Sequence, residues 1–116
     1  MSWYRARRVC NLKGGYLPSF QSRQEADNFA TYLRKRLPSV KAAYIGIRDS
    51  SGDARPRGET WDDGEPFTVG VFPWKARNAK RGCGLMTLAT DGSQRYGFHF
   101  ALCNTPKGSL VCQIQR

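Results

Sequence analysis

The stretch GETWDDGEPFTVGVFPW, residues 58–74, places four acids (Glu59, Asp62, Asp63 and Glu65) within seven positions and carries two tryptophans, Trp61 and Trp74. Two readings compete. Clustered carboxylates suit a divalent cation, which wants several hard oxygen ligands. Asp-Gly and Glu-Pro dipeptides instead mark turns, with Trp61 and Phe67 as apolar anchors that tie the turn to a core. The choice decides whether this segment is a metal site or a turn that connects two pieces of a core.

Outward from this stretch the chain changes texture. Towards the N-terminus, Ser2 can cap a helix through Cys10, with Trp3, Ala6 and Cys10 on one face. Gly14 or Gly15 ends it by taking the left-handed conformation. Ser22-Arg23-Gln24-Glu25 is a capping box, followed by a one-sided stripe of Ala26, Phe29, Leu33 and Leu37 that Pro38 stops. AAYIGI, still ahead of the stretch, and CGLMTLAT, YGFHFALC and SLVCQIQ beyond it read as strands, with Asp91-Gly92 and Pro106-Lys107-Gly108 as turns. Two prolines and a glycine in PFTVGVFP argue against a regular strand there. Two helices and a β-rich half predict an α+β domain.

Composition narrows the class. At 116 residues, with 40% hydrophobic and 12% aromatic residues, residues 1–116 are expected to form one packed domain. No apolar run approaches the ~18 residues that span a membrane, and the start MSWYRARR has no apolar segment behind its basic flank, so no signal peptide is expected. The formal net charge is +10, unevenly spread: residues 1–41 hold nine Lys/Arg against two acids, residues 42–72 three against six, and residues 73–95 five against one. Such a chain attracts polyanions.

Cys10, Cys83, Cys103 and Cys112 contain no Cys-x-x-Cys pair, and His99 is the single histidine, which disfavours zinc. An even count in a short chain reads as two disulfides and an oxidising compartment; spacing alone leaves three pairings. No enzymatic role is expected. His99 sits between Phe98 and Phe100 on an alternating strand and has no visible nucleophile or carboxylate partner.

The ordered set WYRARRVC, GGYL, S-x-x-E, YIGIRD, TWDDGEPF, Trp74, CGL and a final cysteine pair nine residues apart resembles the C-type lectin-like domain over nearly the whole chain. The resemblance implies that fold, an extracellular location, a Cys10–Cys112 disulfide tying the first helix to the last strand, and a Cys83–Cys103 disulfide beneath the loop region. It also implies a strand ahead of the first helix. Only Met1 is available for one, so the last strand is expected to present an open edge, which leaves room for a dimer.

Sugar-binding members of that family hold calcium with Glu-Pro-Asn or Gln-Pro-Asp, a further acid, and Trp-Asn-Asp before the third cysteine. Here the sequence offers Glu65-Pro66-Phe67, then Asn78-Ala79-Lys80-Arg81-Gly82, then Phe98-His99-Phe100. Phenylalanines offer no oxygen and two cations repel a metal, so calcium-dependent sugar binding is not expected and no cofactor is assigned. Asp49, Asp53, Glu59, Asp62 and Asp63 are expected to form a loose, solvated cluster near Arg55 and Arg57, with a structural calcium in residues 49–65 as the alternative.

Function is then sought in the opposite charge. Lys75, Arg77, Lys80 and Arg81 occupy what the resemblance makes the ligand-facing loop, beside an inward-packed Trp74. Guanidinium and ammonium groups there suit sulfate or carboxylate, hence an anionic sulfated glycan or an acidic protein face. A secondary basic patch is Arg5, Arg7 and Arg8 with Arg34, Lys35 and Arg36. The expected function is a calcium-independent extracellular recognition module. A structural or matrix protein that meets acidic polymers or mineral is the alternative, and an intracellular nucleic-acid binder would share the basic, aromatic composition.

Overall fold

The computed structural model describes residues 1–49, 52, 59–67, 71–74, 79–104 and 108–114. The elements in chain order are α1 (Trp3–Leu12), β1 (Gly15–Tyr16), α2 (Arg23–Arg36), β2 (Ala42–Arg48), β3 (Cys83–Leu88), β4 (Tyr96–Ala101) and β5 (Gln113–Ile114). The α+β expectation holds: two helices accompany a three-stranded antiparallel sheet of order β2-β3-β4 and a two-stranded ribbon of β1 and β5.

Both helices begin where local chemistry places them. The Ser2 hydroxyl accepts the Arg5 amide and the Ser22 hydroxyl accepts the Glu25 amide, each satisfying an N-terminal donor that no helical carbonyl can reach. Glu25 reaches back to the amide of Gln21, one residue earlier than the standard box. α1 runs two residues past Cys10, and Gly14 then turns the chain at φ 80°. The α2 stripe is shifted from expectation. Ala26, Ala30 and Leu33 are its buried residues, whereas Leu37, at the C-cap with φ −133°, leaves the helical path and is 37% exposed.

The sheet is covered on both faces, and strand alternation shows which residue faces which side. Ala43, Ile45 and Ile47 of β2 join Met86 and Leu88 of β3, Phe98 and Phe100 of β4, and Ala26, Ala30 and Leu33 of α2 in the larger core. Tyr44 and Leu85 point to the other side, into a second cluster with Trp3, Ala6 and Cys10 of α1 and Leu17. Double coverage is why the middle of β2 is buried at five successive positions. The Trp3 indole N–H seals the α1 contact by donating to the Ile45 carbonyl at 2.9 Å.

Cys10–Cys112 and Cys83–Cys103 are disulfide-bonded, the pairing that the family resemblance implied. The first closes a separation of 102 residues and joins α1 to the C-terminal segment; the second closes 20 residues. In the chain-entropy description such closures stabilise by about 4.7 and about 3 kcal/mol.

The C-terminal strand differs from expectation. Among the described residues of SLVCQIQ, strand structure is confined to Gln113–Ile114, with Ser109 forming a separate parallel bridge to Ala43. β5 is also paired, because Gly15–Tyr16, read from sequence only as a helix terminator, lies antiparallel beside it. The Gln113 side chain strengthens this join by accepting the Ser19 amide at 3.1 Å.

Candidate functional site

The acid-rich segment around Trp61 folds as an aromatic-anchored turn. Asp62-Asp63-Gly64 sits at its tip, with Gly64 at φ 92°, and Thr60 bridges Pro66 in antiparallel fashion. Trp61 is 1% exposed and Phe67 is buried, the two rings meeting at 5.5 Å. Phe72, Phe98 and Phe20 complete this aromatic cluster, so the segment is the inner wall of the larger core. Trp74 packs inward as expected, against Phe67, Phe98 and Phe100.

The acids are not the solvated cluster that their spacing suggested. Asp49 is 1% exposed and accepts the backbone amides of Gly52 and Arg81. Asp62 pairs with Arg7 of α1 at 2.9 Å. Asp63 accepts the Ser19 hydroxyl at 2.6 Å and the Glu65 amide at 3.0 Å. Glu59 is buried. Asp49, Asp62 and Asp63 are thus drawn to different neighbours, each including one far off in sequence: the Arg81 amide, Arg7 and Ser19. The guanidinium beside Asp62 is therefore Arg7; Asp53, Arg55 and Arg57 lie outside the described residues.

Burial raises the Asp62 carboxyl above its ordinary value. Arg7 opposes that rise only in part, and neighbouring Asp63 adds to it. The oxygen donors that a calcium ion would require are replaced where the family's motifs fall. Phe67, Phe98 and Phe100 turn into the aromatic core, and among the described residues no three His, Cys, Asp or Glu side chains converge. His99, opposite Leu85 in the sheet, lies on the face away from Phe98 and Phe100.

The basic residues fall into distinct settings. Lys75 and Arg77 lie outside the described residues. Lys80 and Arg81 are exposed on a turn that is fastened on both sides. The Ala79 amide donates to the Phe100 carbonyl at 2.8 Å, Gly82 closes the turn onto Ala79 at 3.1 Å, and the Asp49 amide donates to the Gly82 carbonyl at 2.9 Å. Arg81 adopts φ 52°, a left-handed conformation that is costly for a side-chain-bearing residue. Its amide donates to the buried Asp49 carboxylate at 2.8 Å, a charge-assisted bond that offsets this cost. Nothing in the local sequence signals that Asp49 would hold a turn 32 residues away.

The secondary patch divides. Arg5, Arg7 and Arg8 lie on α1, where Arg7 is taken up by Asp62. Arg34, Lys35 and Arg36 lie in the last turn of α2. The Arg34 guanidinium donates to the carbonyls of Gln94 and Arg95, clasping the β3–β4 hairpin, while Lys35 and Arg36 face solvent. Beside that hairpin a groove of about 300 Å³ lies between Trp74 and Tyr96. The sequence gives no sign of it, because its walls come from three separate segments.

This helix-sheet arrangement, its two disulfides and its aromatic-walled loop define a known class. The family model for the lectin C-type domain matches residues 1–114, and the chain belongs to that family. C-type lectin domains bind glycans or proteins and act as recognition modules rather than enzymes. The snaclec salmorin of Gloydius brevicauda has a polypeptide that is 34% identical over 88 residues, 73% of this chain and 55% of that one. C-type lectin domain family 4 member C of Homo sapiens is 22% identical across 99% of this chain and 51% of its own length. The chain thus spans about half the length of these two relatives. Among solved structures, the C-type lectin domain of murine dendritic cell inhibitory receptor 2, in complex with N-glycan, superposes with a TM-score of 0.66 at 22% identity, covering 88% of this chain and 73% of that one. Among the described residues, no helix is long and apolar enough to cross a membrane.

Proposed function

We propose that this chain is a calcium-independent extracellular recognition domain that binds an anionic partner, a sulfated glycan or an acidic protein face, through Lys75, Arg77, Lys80 and Arg81. The observation that carries the proposal is the fastened turn at residues 79–82. It presents Lys80 and Arg81 to solvent from a backbone held by the buried Asp49 carboxylate and by the end of β4. A pre-organised cationic turn loses little conformational freedom when an anion docks. Lys75 and Arg77 precede that turn in sequence and add to its charge.

The reading of calcium independence is supported by the donor set: Phe67, Phe98 and Phe100, buried in the core, stand where the family resemblance puts oxygen ligands. The glycan bound by the murine structural neighbour belongs to that protein; here it supports only the idea that a sugar polymer is within the reach of this fold. An extracellular setting suits the two disulfides. A dimer through the last strand remains a second proposal: β5 pairs with β1 on one side, and the described residues place no strand on its other edge.

The test is elution from a heparin column along a salt gradient, run in calcium and again in chelator. A variant with Lys75, Arg77, Lys80 and Arg81 changed to Ser is run alongside. Late elution of the wild type, identical in both buffers, with much earlier elution of the variant is the expected result. Co-elution of variant and wild type would reduce the loop to solvated surface, and a calcium-dependent shift would overturn the metal-free reading.

A further inference from the structure

We infer that the groove beside the β3–β4 hairpin is a second docking site, separate from the basic loop, and that its occupant is an acidic protein segment presenting one bulky apolar side chain. The groove holds about 300 Å³, at the small end of ligand sites and enough for a single large side chain. Its walls are mostly apolar, from Pro73, Trp74, Leu88 and Tyr96, and Thr87 lies along it. Gly97, the cross-strand partner of Thr87, contributes no side chain, which leaves the space open.

Three independent attachments hold the walls in place. Trp74 is wedged against Phe98 and Phe100 and joined to β4, where the Phe98 amide donates to the Pro73 carbonyl at 2.9 Å. On the opposite wall the Tyr96 hydroxyl donates to Asp27 of α2 and accepts from Arg23 Nε at 3.1 Å, with the Arg23 guanidinium over its ring. Arg34 clasps the hairpin from behind through the Gln94 and Arg95 carbonyls. A groove fixed before its ligand arrives spares the ligand most of the cost of ordering it.

Charge selects the occupant. Arg95 lines the groove, is exposed, and has no ion pair among the described residues. Lys35 and Arg36, exposed at the end of α2 beside the Arg34 that holds this hairpin, add positive charge on the same side. An apolar slot with a guanidinium on its wall matches an apolar anchor flanked by carboxylates. A neutral sugar could stack on Trp74 or Tyr96 but would leave the Arg95 guanidinium without a counter-charge.

The experiment is amide- and indole-resolved NMR titration with the capped peptide Glu-Asp-Phe-Asp-Glu. Two controls accompany it, one with Gly in place of Phe and one with Gln and Asn in place of the acids. Saturable shifts at the Trp74 indole, Arg95 and Gly97 are expected. Affinity should fall about tenfold for either control peptide and for Arg95→Glu, and binding should be lost in Thr87→Tyr, which fills the slot. The unperturbed remainder of each variant's spectrum reports that it is folded. The Ser-substituted loop variant should keep peptide binding, so this inference and the proposed function fail separately. Absence of groove shifts, shifts confined to Lys80 and Arg81, wild-type binding by Thr87→Tyr, or groove shifts with a sulfated disaccharide in place of the peptide would each overturn it.

Discussion

Arg7 of α1 meets the carboxylate of Asp62 at 2.9 Å, joining the first helix to the tip of a turn 55 positions further on (62 − 7). Asp62 spends one oxygen on this pair, and its Oδ2 is buried with no hydrogen-bond partner among the described residues. The pair does not repay the burial in full, and the Asp62 carboxyl is held above its ordinary value.

A carboxyl whose folded value lies above its unfolded value favours the fold most when it is protonated. That contribution is complete below the unfolded value and is lost as pH rises through the folded one. Stability of the wild type relative to Asp62→Asn should therefore increase as pH falls from about 7 to about 4. Urea unfolding of both proteins at several pH values checks this. A stability difference that shrinks on acidification would show that Arg7, not burial, governs Asp62.

Arg34 and Lys35 are adjacent in sequence but not equivalent. Arg34→Ala removes two hydrogen bonds to hairpin carbonyls and should cost about 1 kcal/mol, a modest loss because water can replace the donor at this exposed site. Lys35→Ala should lie within about 0.5 kcal/mol of wild type. Thermal unfolding distinguishes them, and amide exchange in residues 89–95 should quicken only for Arg34→Ala.

Tyr96 is pushed up to about 12, chiefly by burial and then by its bond to Asp27. Its phenolate should therefore be absent from an ultraviolet alkaline titration until well above the ordinary tyrosine range. Tyr96→Phe should cost about 1 kcal/mol by deleting the tie between β4 and α2. A change of less than a few tenths would show that Arg23 and Asp27 satisfy each other without it.

Gly84 lies in β3 where there is no room for a methyl group. An added Cβ would fall 2.7 Å from Ile47 Cγ2, 2.8 Å from Ile45 Cγ1 and 2.9 Å from the Ile47 carbonyl oxygen. Gly84→Ala should destabilise by about 1–3 kcal/mol through overpacking. Gly92→Ala meets nothing within 4 Å but is held at φ 82°, so its cost should be about 1–2 kcal/mol and purely conformational. Chemical denaturation of the two variants separates crowding from strain.

Features set by neighbours in the chain could be read from the sequence. The Ser2 and Ser22 caps act over three residues, and the left-handed Gly14 follows from a helix that must stop. The alternation of β2, β3 and β4 sorts Phe98 and Phe100 inward without reference to any partner. The cysteine count pointed to two disulfides, but their pairing came through the family resemblance, because spacing left three choices.

What the sequence by itself determined is thus the inventory: two capped helices, a buried sheet, an aromatic turn and a surplus of positive charge. Only the tertiary structure decided how that charge is used. Arg7 is bound to an acid, Arg34 to two carbonyls, and Arg81 is held in place by Asp49, while Lys35, Lys80 and Arg95 stay open to solvent. The same holds for the pairing of β1 with β5 and for the groove between Trp74 and Tyr96. Each of these joins groups tens of residues apart. A hydrogen bond or an ion pair depends on the positions of both partners, and the residues beside one partner carry no record of where the chain will bring the other.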